Sequence, residues 1–241
     1  MLYYSIMNKM IKTLFSQLHT LTDQDSDRIL FSCGVFLSAA ELYKQFFLFY
    51  VIYHQSYDWW FFPFQLCSLP MYFCLLLPFL PSGRIKTTLC TFMQDYGLLG
   101  GIAALIVPEG FRHIHWTLTL HGYVWHILLI LISLFLLFTG RSDVSRRSFT
   151  DTVPLFAACC CIATAVNVLT PGRGSADMFY ISPYTPGTQP VFRELALYLG
   201  ILPANLLYLL TILTGSAILH ILLGHIQKSA EKDPSARLSD T

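Results

Sequence analysis

The sequence has few charged residues for its length, which excludes an ordinary water-soluble domain. Asp, Glu, Lys and Arg make up 12% of the 241 residues, whereas soluble domains carry about 25%. With 54% hydrophobic residues and a mean hydropathy of +0.55, too few charges remain to cover a water-facing surface. The net charge of +1 gives no reason to expect a nucleic-acid partner. We therefore expect most of the surface to face lipid.

The sequence also lacks a secretory signal peptide, internal repeats and zinc-finger cysteine spacing. Residues 1–20 have apolar positions at helical spacing around Lys9 and Lys12, but no continuous apolar core of the signal-peptide type. They predict an amphipathic helix on the inner membrane surface, or else a flexible segment. No pair of the seven cysteines has zinc-finger spacing. No two His, Asp or Glu residues have convincing ligand spacing either, so neither a metal nor an organic cofactor is expected.

Several segments are long and apolar enough to cross a bilayer, which takes about 20 mainly apolar residues. They are residues 29–53, 59–80, 87–107, 114–138, 152–170 and 195–226. These segments predict an all-α, polytopic membrane protein with a bundle of about six transmembrane helices.

The predicted transmembrane domain covers residues 29–226. An amphipathic or flexible segment, 1–28, precedes it, and a polar tail, 227–241, follows it. The last segment is long enough either to leave the membrane or to contain a break near Pro203. Eleven of the fifteen Lys and Arg residues lie in the N-terminal segment, the tail and alternate loops. Since positively charged loops remain in the cytoplasm, both termini are predicted to be cytoplasmic.

Polar residues lie inside these apolar segments, where an ionisable group costs about 3 kcal/mol. The candidates are Glu41, Lys44, Gln65, Cys67, Gln94, Asp95, His121, His126, Asn167 and Asn205. At 1.5 Å of rise per residue, Cys67 and His121 both lie roughly 11 Å below the outer ends of their segments. We expect a cluster in the outer half of the membrane, with Asn167 close by and with Asp95 and Glu41 beneath it.

Each candidate also has a structural interpretation. Glu41 and Lys44 are three residues apart, so they can form an ion pair on one helical face. A cysteine in a membrane helix is usually a small core residue, and the imidazole of His121 can make a structural hydrogen bond. His126 is about 140° around the helix from His121 and should face elsewhere.

The chemical interpretation pairs Cys67 with His121. An imidazole that takes the thiol proton turns the sulfur into a strong nucleophile. Asp95 or Asn167 could fix the imidazole tautomer through the second ring nitrogen. At the expected depth the pair would reach the ester carbonyls of phospholipids, so it could transfer a fatty acyl group through a thioester.

Four motifs resemble those of the YwaF-like family of bacterial integral membrane proteins. They are the segment 62–69 (FPFQLCSL), Pro108 at a helix end, His121-Gly122 before a long apolar run, and the segment 177–180 followed by Pro183. The resemblance covers roughly residues 30–225. It implies a multi-pass protein of the bacterial cytoplasmic membrane.

That family is similar to a eukaryotic transmembrane acyltransferase that moves polyunsaturated acyl chains onto ether phospholipids. The resemblance implies that Cys67 carries the acyl group and that His121 lies beside it. Gln65 and Asp177 depart from the pattern, which commonly has His and Asn there. Without a histidine at position 65, Gln65 could still orient a substrate by hydrogen bonds.

Three functions follow from this sequence. The first is a lipid acyltransferase or lipid hydrolase with catalytic Cys67 and His121, and with membrane lipids as partners. Its supporting polar residues would be Gln65, Asp95, Asn167, Glu41 and Asp177. The second is a small transporter or substrate-binding membrane subunit, in which Glu41, Lys44, Asp95 and Asn205 line a path. The third is a structural or partner-binding membrane protein without chemistry.

Overall fold

The computed structural model describes residues 18, 20–170, 172 and 174–231. The described residues are helical and contain no strand, which confirms an all-α, polytopic membrane protein. Most of the predicted N-terminal segment and most of the predicted tail lie outside the described residues.

From Asp23 to Glu231 the chain forms seven α-helices. They are α1 (Asp23–Phe47), α2 (Leu69–Leu76), α3 (Arg84–Ile106), α4 (Trp116–Phe138), α5 (Arg146–Leu169), α6 (Phe192–Leu199) and α7 (Ile201–Glu231). A π-helical turn, Leu48–Ile52, extends α1. Short 3-10 turns occur at Trp59–Phe61, Leu66–Ser68, Leu77–Phe79, Pro108–Gly110 and Met178–Tyr180.

Five of these helices are long and apolar enough to cross a membrane: α1 with its extension, α3, α4, α5 and α7. The second predicted span, 59–80, is shorter than expected because helical structure is continuous only from Leu66 to Phe79. Pro63 accounts for the difference, since a residue before proline avoids the helical region. Phe62 accordingly has an extended backbone, with ψ of 132°.

The last predicted span also differs in where it breaks. The chain turns at Gly200, between α6 and α7, and not at Pro203. Gly200 has φ of +88°, a conformation that a residue with a side chain rarely adopts. Pro203 lies in the first turn of α7, where a missing N–H breaks no helical hydrogen bond.

Helix α3 lies at the centre of the bundle. In its most apolar stretch 61% of the residues are buried, compared with 17% in α1. Helices α2, α4, α5 and α7 all pack against α3, and α1 packs against α2 and α4. The rings of Phe92 and Tyr96 stack at 4.3 Å between centroids, and Tyr96 continues the stack to Phe156 on α5 at 5.1 Å.

The loops divide between two ends of the bundle. We call one end the thiol side, formed by loops 53–65, 107–115 and 170–191, and the other the ion-pair side, formed by loops 80–83 and 139–145. The ion-pair side, predicted to be cytoplasmic, is held by Asp27 of α1. Its carboxylate accepts hydrogen bonds from Lys86 and, at 2.5 Å, from Arg141.

Candidate functional site

Cys67 lies on the thiol side, in the 3-10 turn that begins the short second span. Its side chain is partly buried and packs against the core cluster that contains Leu37, Met71 and Trp125. The indole N–H of Trp125 donates a hydrogen bond of 3.0 Å to the carbonyl of Cys67. This bond fixes the turn that carries the thiol against α4.

His121 lies one turn before Trp125 on α4, and the two rings are 5.4 Å apart at an angle of 30°. Its Nε2 atom is buried and has no hydrogen-bond partner, while the carbonyl of Ala40 on α1 lies within reach of the ring. His126 faces away, as predicted, because its Nδ1 atom contacts the carbonyl of Gly122 at 2.7 Å and its ring stacks on Phe111.

The glycine of the His121-Gly122 motif has a packing role. A Cβ atom at position 122 would collide with the ring of Phe111. Glycine therefore allows the loop 107–115 to lie directly on α4, one residue beyond His121.

Cys67 and His121 belong to one region but do not touch. No hydrogen bond joins the Cys67 thiol to His121 among the described residues, and Trp125 contacts both residues. Glu41 and Lys44 of α1 lie within electrostatic range of both Cys67 and His121. Cys67 and His121 therefore each lie near the Glu41–Lys44 pair and near Trp125.

The ion pair predicted between Glu41 and Lys44 is present. Lys44 Nζ lies 2.8 Å from Glu41 Oε2, and the two side chains are 20% and 7% exposed. Gln45 donates to Glu41 Oε1 at 2.7 Å and to the carbonyl of Phe61 at 2.6 Å. Glu41 therefore has both oxygens occupied and holds the Lys44 ammonium in place.

Gln65 and Asn167 hold a segment of the loop 170–191. Gln65 donates to the carbonyl of Asp177 at 2.9 Å and accepts from the N–H of Phe179 at 2.8 Å. Asn167 likewise bonds both the N–H and the carbonyl of Met178, at 2.6 and 3.0 Å. Each side-chain amide therefore uses one donor and its oxygen to hold the loop backbone. The substrate-orienting role considered for Gln65 stays a prediction.

The loop segment 177–180, which Gln65 and Asn167 hold, has an unusual backbone. Phe179 and Tyr180 both have φ of +58°, in the left-handed region. Non-glycine residues adopt this region at a cost, and only where surrounding contacts impose it. The ring of Phe179 stacks on Phe64 with centroids 5.9 Å apart, which adds a further contact to the hydrogen bonds from Gln65 and Asn167.

Asp177 is buried at the start of this segment. Its Oδ1 atom accepts from the N–H of Ser182 at 2.8 Å, and Asn205 of α7 donates to the carbonyl of Ser182 at 3.0 Å. Burial raises the pKa of Asp177 to about 6, and the hydrogen bond from Ser182 limits the rise. Asp177 and Asn205 therefore fix the loop across the thiol side.

Asp95 belongs to a different part of the bundle. Its carboxylate contacts His220 Nδ1 of α7 at 2.8 Å and accepts from Gln94 at 2.9 Å. His220 Nε2 lies 3.0 Å from the carbonyl of Ser145, the last residue of the loop 139–145. Neither Asp95 nor Asn167 contacts His121, so the predicted tautomer-fixing bond from one of them is not formed.

Two functional neighbours escaped sequence reasoning. Trp125 joins Cys67 to His121, and its signal was only that it follows His121 by four residues, one turn of the same face. His220 pairs with Asp95, and its signal was only that it is one of two histidines, with His225, inside the apolar run 195–226. Residues 95 and 220 are distant in sequence, so only the packing of α7 against α3 reveals the pair.

The surroundings limit what the site can hold. Within the described residues no group of three or more His, Cys, Asp or Glu side chains could hold a metal ion. An open apolar groove of about 540 Å³ lies between α5 and α7, and Cys160, Cys161 and Ile181 contribute to its walls. Cys67 and His121 do not line this groove. The site itself therefore offers a thiol, an imidazole and an ammonium group.

Fold and site together define a multi-pass helical membrane protein with a thiol and an imidazole beside a buried ion pair. The sequence model of the TMEM164 family matches residues 2–220. The chain therefore belongs to the TMEM164 family. No curated protein and no solved structure matches the chain. The narrower YwaF-like assignment rests on the motif resemblance alone.

Proposed function

We propose that this protein transfers fatty acyl groups between membrane lipids through a thioester on Cys67. The observation that carries the proposal is the buried Nε2 atom of His121, which has no partner. Like the Cys67 thiol, the His121 ring lies within electrostatic range of Lys44 and Glu41. A buried polar atom without a partner is rare and calls for an explanation. A role for His121 as the base that accepts a thiol or hydroxyl proton would explain this atom.

The proposed reaction has two steps, acylation of Cys67 and transfer of the acyl group to an acceptor lipid. His121 takes the proton of Cys67, and the sulfur attacks the ester carbonyl carbon of a donor lipid. The ester C–O bond breaks, the lyso-lipid oxygen takes the proton from His121, and the acyl group remains on sulfur. The hydroxyl of an acceptor lipid then loses its proton to His121 and attacks the thioester, which restores the Cys67 thiol.

The proposal requires Cys67 and His121 to approach each other when substrate binds. Catalytic hydrogen bonds are often long before substrate arrives. Both side chains are partly exposed, so a lipid could reach them from the bilayer. With water in place of the acceptor lipid, the same chemistry would make the protein a lipid hydrolase. The resemblance to eukaryotic ether-phospholipid acyltransferases supports transfer between lipids, and a bacterial cytoplasmic membrane is the proposed location.

The contacts give the transport alternative little support. A proton or solute path would need Glu41, Lys44, Asp95 and Asn205 to line one route. Instead Asp95 bonds His220, whereas Asn205 bonds the carbonyl of Ser182 on the thiol side. Glu41 and Lys44 pair with each other.

The test is a lipid-exchange assay with the purified full chain in vesicles of mixed phospholipids that carry isotopically labelled acyl chains. Redistribution of the label between lipid classes is followed by mass spectrometry. Cys67→Ser and His121→Ala should abolish redistribution. Cys161→Ser should retain it, because Cys161 is exposed on another helix. Equal label distributions in the wild type, both variants and protein-free vesicles would refute the proposal.

A further inference from the structure

Two contacts between α1 and α4 set which residues face each other. The carbonyl of Ala40 lies within reach of the His121 ring, and the ring of Phe47 contacts that of His115 with centroids 5.3 Å apart. The residue numbers therefore rise along α1 as they fall along α4, so the helices are antiparallel here. Four residues beyond Ala40 is Lys44, and four residues before His121 is Thr117. This register places Lys44 opposite Thr117.

Three polar groups along this line have unused hydrogen-bonding capacity. An ammonium has three N–H donors, and the only contact of Lys44 Nζ among the described residues is with Glu41. The hydroxyl of Thr117 and the Nε2 atom of His121 are buried and have no partner. Thr117 and His121 are one turn apart, so both lie on one face of α4.

The presence of the Glu41–Lys44 ion pair inside a membrane calls for an explanation. Replacing a buried pair with apolar residues is often neutral or stabilising, and ionisable groups in membrane segments usually mark a functional site. Glu41 is occupied on both oxygens, by Lys44 and Gln45. It therefore fixes the ammonium and leaves two N–H groups of Lys44 free to bind an oxygen atom of a ligand.

We propose that Lys44 and Thr117 form the oxyanion-binding site of the reaction. This inference rests on the proposed function and extends it. When the Cys67 sulfur attacks the ester carbonyl, the carbonyl π electrons move onto oxygen, which becomes negatively charged. An N–H of Lys44 and the O–H of Thr117 donate hydrogen bonds to that oxygen and lose no proton. The same two groups stabilise the second tetrahedral intermediate, when the acceptor hydroxyl attacks the thioester.

The first test is kinetic and uses the full chain in lipid vesicles. Loss of one oxyanion donor lowers kcat by about 100-fold or more in known enzymes. Thr117→Val and Lys44→Met should each lower kcat by about 100-fold with little change in KM, and Lys44→Arg should recover most of the rate. Because Lys44→Met leaves Glu41 with an unpaired charge, Glu41→Gln/Lys44→Met is the matched variant. It should regain the wild-type melting temperature without regaining the rate.

The second test does not depend on acyl transfer. The carboxylate of oleate resembles the oxyanion, so oleate should slow the alkylation of Cys67 by iodoacetamide in wild type. Protection should be lost in Thr117→Val and in the double variant, with Cys161 as the internal control in the same sample. If these variants keep both wild-type kcat and oleate protection, the oxyanion proposal is wrong. If oleate protects Cys67 only when Lys44 and Thr117 are present but no lipid label moves, the site stands and the acyl-transfer function fails.

Discussion

Two polar regions inside this bundle differ in how completely their hydrogen bonds are formed. Around Asp95, both carboxylate oxygens and both nitrogens of His220 have partners, supplied by Gln94, Ser145 and each other. Around Cys67, the imidazole of His121 and the hydroxyl of Thr117 each keep a buried atom without a partner. Both regions carry an acid and a base in apolar surroundings. The difference between the two regions therefore lies in how many of these polar atoms have hydrogen-bond partners.

Under the proposed function, this difference separates a structural region from a chemical one. A fully satisfied buried network makes the packing of its helices specific, and the Asp95–His220 pair joins α3 and α7 to Ser145 at the end of the loop 139–145. Unsatisfied polar atoms raise the free energy of the folded state. Among the described residues they persist at His121 and Thr117, as a binding site for a polar ligand would require, and at seven other buried side-chain atoms, such as Tyr96 Oη and Ser216 Oγ.

The largest stability effect should come from the saturated network. Asp95→Ala removes the partner of His220 Nδ1 and of the Gln94 amide N–H, and breaking such a buried pair typically costs about 3–5 kcal/mol. We expect a large fall in thermal stability of the purified chain in detergent. In the fraction that remains folded, the alkylation rate of Cys67 relative to Cys161 should not change. A variant as stable as wild type would show that the network is not structural.

A smaller effect should appear as pH dependence from the loop on the thiol side. The pKa of Asp177 rises from 3.8 to about 6 on folding, so the folded state binds more protons between these values. This group's contribution is therefore most favourable below about pH 4 and falls by about 3 kcal/mol as the pH rises to about 6, then stays constant.

Asp177→Asn isolates this contribution. Asparagine keeps an oxygen for the N–H of Ser182 and cannot ionise. The melting temperature of wild type relative to Asp177→Asn should fall between about pH 4 and pH 6.5 and level off above that range. A difference that does not change with pH would mean that Asp177 is ionised in the folded protein as readily as in the unfolded chain.

The smallest stability effect should come from Thr117. Its hydroxyl has no partner, so Thr117→Val should change the free energy of unfolding by less than about 0.5 kcal/mol or stabilise the protein. Thr91 is the matched control, because its hydroxyl contacts Ser148 Oγ at 2.8 Å and accepts from the N–H of Asp143 at 3.2 Å. Thr91→Val should cost about 1–3 kcal/mol. Equal losses at both positions would remove the contrast between the two regions.

Much of the fold could be predicted from the sequence because each long apolar helix has a local signal. Length and hydropathy predicted the spans that became α1, α3, α4, α5 and α7. Spacing along one helix predicted the Glu41–Lys44 pair and the separate face of His126, since both depend only on helical periodicity. The break at Phe62 was missed because the apolar composition of 59–80 outweighed Pro63 in the prediction.

The site was only partly predictable for a different reason. Depth arguments placed Cys67 near His121 because they require only the ends of two spans. They could not identify the partners of Asp95, Gln65 or Asn167, since each partner lies on an element distant in sequence or in an irregular loop. The depth of a residue in the membrane also does not reveal how its helix is rotated about its own axis. That rotation decides whether two polar groups at the same depth face each other.

The most direct test of the central claim is to look for the acyl group on Cys67. Purified protein would be mixed with vesicles that contain phospholipid with a labelled acyl chain. The reaction would be quenched in acid, the protein digested, and the mass of every cysteine-containing peptide measured by mass spectrometry. The account predicts a labelled acyl adduct on Cys67 that hydroxylamine removes and that is missing in His121→Ala. An adduct absent from Cys67, or equally abundant on Cys161, would contradict it.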